Sequence, residues 1–509
     1  MQLLAGRPMR SCAWVFVAAL ALAFAACGGG SGGGDRPDAG TAPPPPPPDD
    51  DASAPEDAAT PPPPPTRRDA GPGLVSHEYT PAGCGYTVRT PMVQEASMGG
   101  DATGESPTPD HVHVSYASTP SSSFAVNWRT EVATTVTRVL YGTTRAEVES
   151  AEGATATVRE QLGHTLVFDS LLDTAPPTRI HEAHVCGLEA QTPYFYKVGG
   201  PGAWSAVHEV ATAPVRGATV PFRFAVTGDS RDEMHVWAEV QAAVASHGVD
   251  FQLFTGDAVV VGAVQPQWDA WFEATSGEAR AADVLAEIPF MPANGNHDSL
   301  AVGFLAQFAL PQHEYEGERG DGEESYSFDY GNAHVVVLND FSSDMARTAM
   351  EAGAWLREDL RAVDRAVTPW VFVVHHHATY SCSTVHGSNF ELREAWQPIF
   401  DEHGVDVVFA GHDHTYERSL PIRGFRPGTR EGVIVERGAD GAPVAGNGTV
   451  YVVSGGAGAE LYGAGDGCDH TYVTESVRNY VIVEVEGRTL RHTAYRLDGS
   501  VLDRFEHTK

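Results

Sequence analysis

Positive charge is what this 509-residue chain has least of: 33 Lys and Arg stand against 67 Asp and Glu, a formal net charge of −34. A field of that sign repels nucleic acid and anionic lipid, so nonspecific binding to either is excluded as a function. It also repels a phosphorylated substrate, unless cations gathered at a site reverse it locally. Cysteine is scarce as well. There are six, none in a C-x-x-C pair, which argues against a zinc–thiolate site. The apolar run from Ala13 to Ala26 is too short to span a bilayer. Residues 28–72 hold almost no large apolar side chain and cannot bury a core. What remains is still too long for one core and allows two or three domains.

The first 27 residues read as an export signal, with Arg7 and Arg10 ahead of the apolar run. The run ends in "FAAC", with Cys27, followed by "GGGSGGG". Small residues before a cysteine and glycine after it resemble a bacterial lipoprotein processing site. The resemblance implies lipidation of Cys27 and a protein exported and anchored to the cell envelope, at the outer membrane or the cell surface. Residues 28–72 carry two proline runs and acidic residues and are expected to form a disordered tether. At ~3.1 Å per residue it could reach on the order of 140 Å. Residues 73–106 are an N-terminal extension to the folded body. Four cysteines lie beyond the tether, an even number that suggests two disulfides in an oxidising compartment. Their positions predict the pairs Cys84–Cys186 and Cys382–Cys468, the second bracing a loop that carries His386.

Residues 107–215 contain short alternating segments such as "HVHVSYA", "SFAVNWRT" and "PYFYKVGG", the pattern of a small β-sandwich. The stretch "GLEAQTPYFYKV" resembles a fibronectin type III domain, with Tyr194 as the tyrosine that pins a corner. His111 and His113 alternate along one strand, and with no further ligand near them they read as structural. From residue 219 to 509 apolar runs alternate with helical patterns, an α/β organisation. Trp237, Val240 and Val244 share one face of a helix. Five apolar strands deliver Asp, Asn or His at their carboxyl ends: Asp229, Asp257, Asn296 with His297, His375 to His377, and His412 with His414. That edge of an α/β sheet is where ligands bind. Carboxylates, an amide oxygen and imidazoles suit divalent zinc, manganese or iron, and there are more of them than one ion needs.

The order "GDS", "GD", "GNHD", a histidine after an apolar strand, and "GHDHTYER" resembles that of the calcineurin-like metallophosphoesterases. With the preceding sandwich, "YSFDYGNAHVVVLN" and "VDVVFAGHDHTYERS", the body resembles a purple acid phosphatase. That resemblance implies a fibronectin type III-like sandwich followed by an α/β domain, itself a β-sandwich with flanking helices. It also implies two divalent ions. Asp229 and His414 would bind metal one, Asp257 would bridge, and Asn296, His376 and His412 would bind metal two. His297 would sit beside the phosphate with Asp298 steadying its ring, and His386 would approach from the other side. His375 would face away, His377 would join the pocket or support it, and Tyr416 would pack beneath the site.

One departure stands out. The family carries a tyrosine three residues after the bridging aspartate, where this chain has Val260. Relatives without that tyrosine often place a histidine two residues after the first aspartate, where this chain has Arg231. Metal one is thus left with three protein ligands, and Arg231 is a candidate to neutralise phosphate. The function implied is a phosphatase that hydrolyses small phosphate monoesters by attack of a hydroxide bridging the two ions. The alternatives are a phosphodiesterase or nucleotidase on the same scaffold, and a noncatalytic metal-containing surface binding protein. Specificity is expected to lie in loops such as 423–446.

Overall fold

A computed structural model describes residues 74–509, apart from residues 171, 278, 300–301, 314–321, 343, 427–430 and 435–447. The export signal, Cys27 and the tether lie outside the described residues, as does most of the 423–446 loop.

The first folded layer pair is a β-sandwich. One sheet runs Leu74–Val75, Val93–Met98, His164–Phe168, Thr178–Cys186, Ser123–Glu131, Asp110–Ser115, so the extension contributes strands to it. The other is built around Pro193–Gly200, flanked by Arg138–Gly142, Ala203–Trp204 and His208–Ala211. Between them lie Phe124, Trp128, Tyr194 and Tyr196. The Tyr194 hydroxyl accepts the Glu189 N–H at 3.0 Å and closes the corner between two strands. Cys84 and Cys186 are disulfide-bonded with Cα atoms 5.2 Å apart. His111 has φ of 50° at a register shift in its strand, so it and His113 both stack on Phe272 of the second domain at 4.8 Å. Residues two apart on a strand share a face, and the register shift between Asp110 and His113 leaves both rings on that neighbour.

The second domain is two sheets packed face to face with helices outside. The strands that lead into the site are β1 (Phe222–Thr227), β2 (Phe251–Phe254), β3 (Phe290–Pro292), β4 (Trp370–His377) and β5 (Val407–Gly411). Sheet one runs β3, β2, β1 in parallel and continues through three antiparallel strands, Asn479–Glu486, Thr489–Arg496 and Val501–Thr508. Sheet two places Ala333–Val337, β4, β5 and Val450–Ser454 side by side in parallel. Phe224 of sheet one meets Phe372 and Phe409 of sheet two at 5.1 and 6.2 Å. Each such ring taken from water stabilises the sandwich by roughly 2–3 kcal/mol. Helix α1 (Met234–Ser246) buries Trp237, Val240 and Val244 as their spacing predicts. Helices α2 (Met345–Arg361) and α3 (Phe390–His403) cover the outer face of sheet two through Leu356, Leu392 and Trp396.

The period of two along β4 sorts its histidines. Val371 and Val373 pack on the helices, whereas Phe372 and Val374 face the other sheet. His375 continues the first set and meets Trp396 at 5.2 Å, and His376 continues the second. His377 would follow His375, but the pairing with β5 shifts register between Val374 and His377. The irregularity turns its ring towards the site, 4.1 Å from His412.

Candidate metal centre

The parallel strands of both sheets end at one edge, and the loops beyond them bring the donors together. Sheet one supplies Asp229, Asp257 and Asn296, and sheet two supplies His376, His412 and His414. Asp229, Asp257 and His412 hold left-handed backbone at φ of 57°, 61° and 67°. Three such residues in one site are backbone strain carried where chemistry needs it. The glycines of the motifs are close-approach residues. A Cβ on Gly411 would collide with Asp229 Oδ2, and one on Gly295 with Asp257 Oδ1.

Hydrogen bonds fix which ring nitrogens are bare. His376 Nδ1 donates to the Thr255 carbonyl at 2.8 Å, and His414 Nδ1 to the Glu460 carbonyl at 2.6 Å. A carbonyl only accepts, so in the neutral rings both Nε2 atoms are lone pairs. His376 Nε2 lies 2.9 Å from Asn296 Oδ1, 3.3 Å from His412 Nδ1 and 3.4 Å from Asp257 Oδ1. His412 Nδ1 is also 2.9 Å from Asn296 Oδ1. An ion with bonds of about 2.1 Å spaces its donors about 3.0–3.4 Å apart. These four acceptors therefore fit one divalent cation. Without a cation His376 takes a proton instead. Burial works against that charge, but the carboxylates of Asp257, Asp229 and Asp340 raise its pKa to about 10.

The other half is looser. His414 Nε2 is 3.5 Å from Asp229 Oδ1, and Asp229 also accepts the His412 N–H at 3.0 Å. Arg231 is 13% exposed and enters this half, with Nε 3.5 Å from Asp257 Oδ2 and Nη2 3.3 Å from His414 Nε2. Val260, at the family's tyrosine position, is 38% exposed.

Around the donors stand His297, 30% exposed, with Nε2 3.9 Å from Asp257 Oδ2, and His386, whose ring stacks on His412 at 4.1 Å. Burial, with nearby His414 and His377, holds the His386 pKa below the ordinary histidine value despite Asp413. The Cys382–Cys468 disulfide joins the His386 loop to the segment ending at Cys468, with Cα atoms 5.9 Å apart. Tyr416 is buried beneath the site, donating to Asp503 at 2.8 Å.

The expected role of Asp298 is corrected by the structure. Its carboxylate does not reach the His297 ring. It accepts the backbone N–H groups of Asp257 at 2.8 Å, Ala258 at 3.0 Å and Gly295 at 3.0 Å. His297 Nδ1 bonds instead to the Val260 carbonyl at 2.8 Å. Neighbouring residues in a tight turn point in different directions, so adjacency in sequence did not mean contact. Asp298 is a positioning residue that ties two ligand-bearing loops together.

Two groups escaped the sequence reading. Asp340 takes the N–H groups of His376 and His377, and bonds the rings of His375 and His377 at 3.2 and 2.9 Å. "VVVLND" is an apolar strand ending in a carboxylate, the same signal as the other five, and would have found it. Tyr462 stacks on His414 at 3.9 Å from a glycine-rich stretch with no such signal.

Comparison with known proteins agrees with this architecture. Residues 222–416 match the calcineurin-like phosphoesterase family, and residues 109–212 match the purple acid phosphatase N-terminal domain. Purple acid phosphatase 23 of Arabidopsis thaliana is 30% identical over 56% of this chain and 67% of its own length. Purple acid phosphatase 15 of the same plant is 29% identical over 52% of this chain and 55% of its own length, so the chain spans little more than half of that relative. An uncharacterized protein of Mycobacterium tuberculosis is 27% identical over 68% of this chain and 69% of its own length. Among solved structures, a purple acid phosphatase from yellow lupin seeds shares the fold with a TM-score of 0.63 at 19% identity, covering 79% of this chain and 74% of its own. The chain belongs to the purple acid phosphatase family, within the calcineurin-like phosphoesterases.

Proposed function

We propose that this centre hydrolyses small phosphate monoesters with a divalent metal, iron, zinc or manganese. The observation that carries the reading is the convergence of Asp257 Oδ1, Asn296 Oδ1, His376 Nε2 and His412 Nδ1, each within 3.4 Å of His376 Nε2 or of one another, the spacing of donors around one cation. A divalent ion held there supplies charge neutralisation on the phosphoryl group and lowers the pKa of a water molecule. The Asp229 and His414 half is the second cation position of the centre. His297, half-buried, and His386, exposed, flank the donors, and either can protonate the leaving oxygen. Arg231 adds a fixed cation that offsets the acidic field locally, which favours a dianionic monoester over a monoanionic diester, and His377 lines the same pocket. The export signal and Cys27 support an enzyme exported and held to the bacterial envelope by lipid. Its only membrane contact would be that anchor.

The test uses the full chain loaded with Mn²⁺ and compares p-nitrophenyl phosphate with bis(p-nitrophenyl) phosphate. The expected result is faster turnover of the monoester, abolished by chelation. Faster turnover of the bis-ester would make it a diesterase, and binding of phosphate with no turnover of either would make it a binding protein. Asn296→Ala should lower metal content. His297→Ala should keep the metal and slow kcat by roughly 10²-fold or more. Equal metal loss in both would overturn the assignment.

A further inference from the structure

The two halves of the centre differ in what occupies them. In the Asn296 half, acceptors face acceptors. In the Asp229 half a cation is already in place. Arg231 sits two residues after Asp229, on the turn that Asp229 opens with its left-handed backbone. Its guanidinium lies over the donors that a second ion would need. Nη2 donates to His414 Nε2, the lone pair left bare because Nδ1 is committed to the Glu460 carbonyl. Nε lies against Asp257 Oδ2 at 3.5 Å, and Nη1 is anchored by Asp232 Oδ2 at 2.8 Å. A guanidinium has no lone pair to offer a metal and does not deprotonate in proteins. An incoming ion would meet a fixed charge, not a ligand.

The ligand count points the same way. This half offers Asp229, Asp257 and His414, and the fourth position is not filled from Val260. That side chain is partly exposed and apolar, and its carbonyl is taken by His297 Nδ1. Tyr462 stacks on the open face of His414 at 3.9 Å, which holds the imidazole where Arg231 meets it. Four donors converge within 3.4 Å of a neighbour in the other half, whereas here the contacts are 3.3–3.5 Å and two of them are to the guanidinium.

We infer that this centre holds a single divalent metal, at Asp257, Asn296, His376 and His412, and that the Arg231 guanidinium is its second cation, in the place of a second ion. The three-donor half does not fit a resident second metal while Arg231 is present. Arg231 then does two things. It balances the buried carboxylates of Asp229 and Asp257, and its remaining N–H groups are donors for a phosphoryl oxygen. The inference rests on the phosphatase reading for its chemistry, but its test reads metal.

The experiment is metal counting on the full chain, equilibrated with Mn²⁺, freed of excess ion by gel filtration, and measured by mass spectrometry and electron paramagnetic resonance. The wild type is expected to hold one Mn²⁺ per chain, with the six-line spectrum of an isolated ion. Arg231→His places a neutral ligand two residues after Asp229 and is expected to raise the count to two, with an exchange-coupled spectrum. Arg231→Ala, which only removes the cation, should bind a second ion more weakly. Two tightly held, coupled ions in the wild type would overturn the inference and leave the phosphatase reading standing. So would a count of one in the folded Arg231→His and Arg231→Ala variants alike. No bound metal and no turnover in the wild type would overturn both. If Arg231→His does not fold, the wild-type count and spectrum decide alone.

Discussion

The β-sandwich and the second domain both bury histidines completely, and the two sets do different work. In the sandwich, His181 lies between the hydroxyls of Thr130 at 2.7 Å and Thr137 at 2.8 Å and stacks on Trp128 at 5.0 Å. His184 uses one nitrogen for the Tyr86 hydroxyl at 2.9 Å and the other for Glu182 at 2.7 Å. Hydroxyls can donate or accept, so either tautomer of His181 is satisfied. In the second domain, His376 and His414 spend one nitrogen on a carbonyl and aim the other at further acceptors. Burial and residue type are the same in both. Among these four residues partner chemistry separates the packed histidines from the candidate ligands, because lone pairs face one another in a dry site only with a proton or a cation between them.

The sharpest way to break that comparison is to delete one histidine of each kind. His376→Ala removes a ligand and is expected to lower bound metal and to reduce kcat by roughly 10³-fold, the scale of several kcal/mol from a Lewis acid. His181→Ala takes one partner from each of the Thr130 and Thr137 hydroxyls, which keep the Glu131 and Thr135 carbonyls, and opens a void beside Trp128. It is expected to cost about 2–4 kcal/mol in urea denaturation, with metal content and kcat unchanged. A loss of metal in His181→Ala would mean that the sandwich shapes the centre directly.

The same comparison explains what could be read from the sequence. The candidate donors at strand ends were legible because they interrupt apolar runs, and the period of two separated His375 from His376. His377 faces the site only through a register shift, which no pattern of side chains announces. The carbonyls of Thr255, Glu460 and Val260 decide tautomers and ring positions, yet a backbone carbonyl is present at every residue. Asp298 was visible and misplaced, since "HD" suggests a pair and the turn sends the two side chains apart. Arg231 was visible as a departure from the family pattern, but its guanidinium reaching His414 depends on the left-handed turn at Asp229.

The two disulfides sharpen the comparison at a smaller scale. Cys84–Cys186 ties the extension to the sandwich, far from the candidate donors in sequence. Cys382–Cys468 lies next to the bridge between Ser383 and Ala464, so it joins the loop of His386 to the segment of Tyr462. Either pair replaced by serine should cost about 2–4 kcal/mol of stability. Only the Cys382→Ser, Cys468→Ser variant should also raise KM for a phosphate monoester several-fold, because His386 loses its brace. Equal KM in both variants would show that the second bridge is structural alone.

The smallest expected effect concerns a third kind of buried histidine. His334 bonds Asp329 at 2.9 Å through Nδ1 and Asp359 at 2.8 Å through Nε2, so both nitrogens donate to carboxylates. Burial opposes the charge, but the two carboxylates prevail and raise its pKa to about 9. The folded state therefore holds a proton that the unfolded state releases near pH 6.5. The stabilisation is complete below about pH 6.5 and is lost as pH climbs through about 9. His181 has the opposite sign. Burial, with help from Arg179, holds its pKa well below the ordinary value, so its contribution is present above about pH 6.5 and fades as pH falls. Urea denaturation at a series of pH values should show His334→Gln flattening the decline between about pH 6.5 and 9, by about 1–3 kcal/mol at the acid end of that window. His181→Phe should instead flatten the decline on the acid side. If both variants altered the same limb of the profile, the division of buried histidines by partner chemistry would fail where no metal is involved.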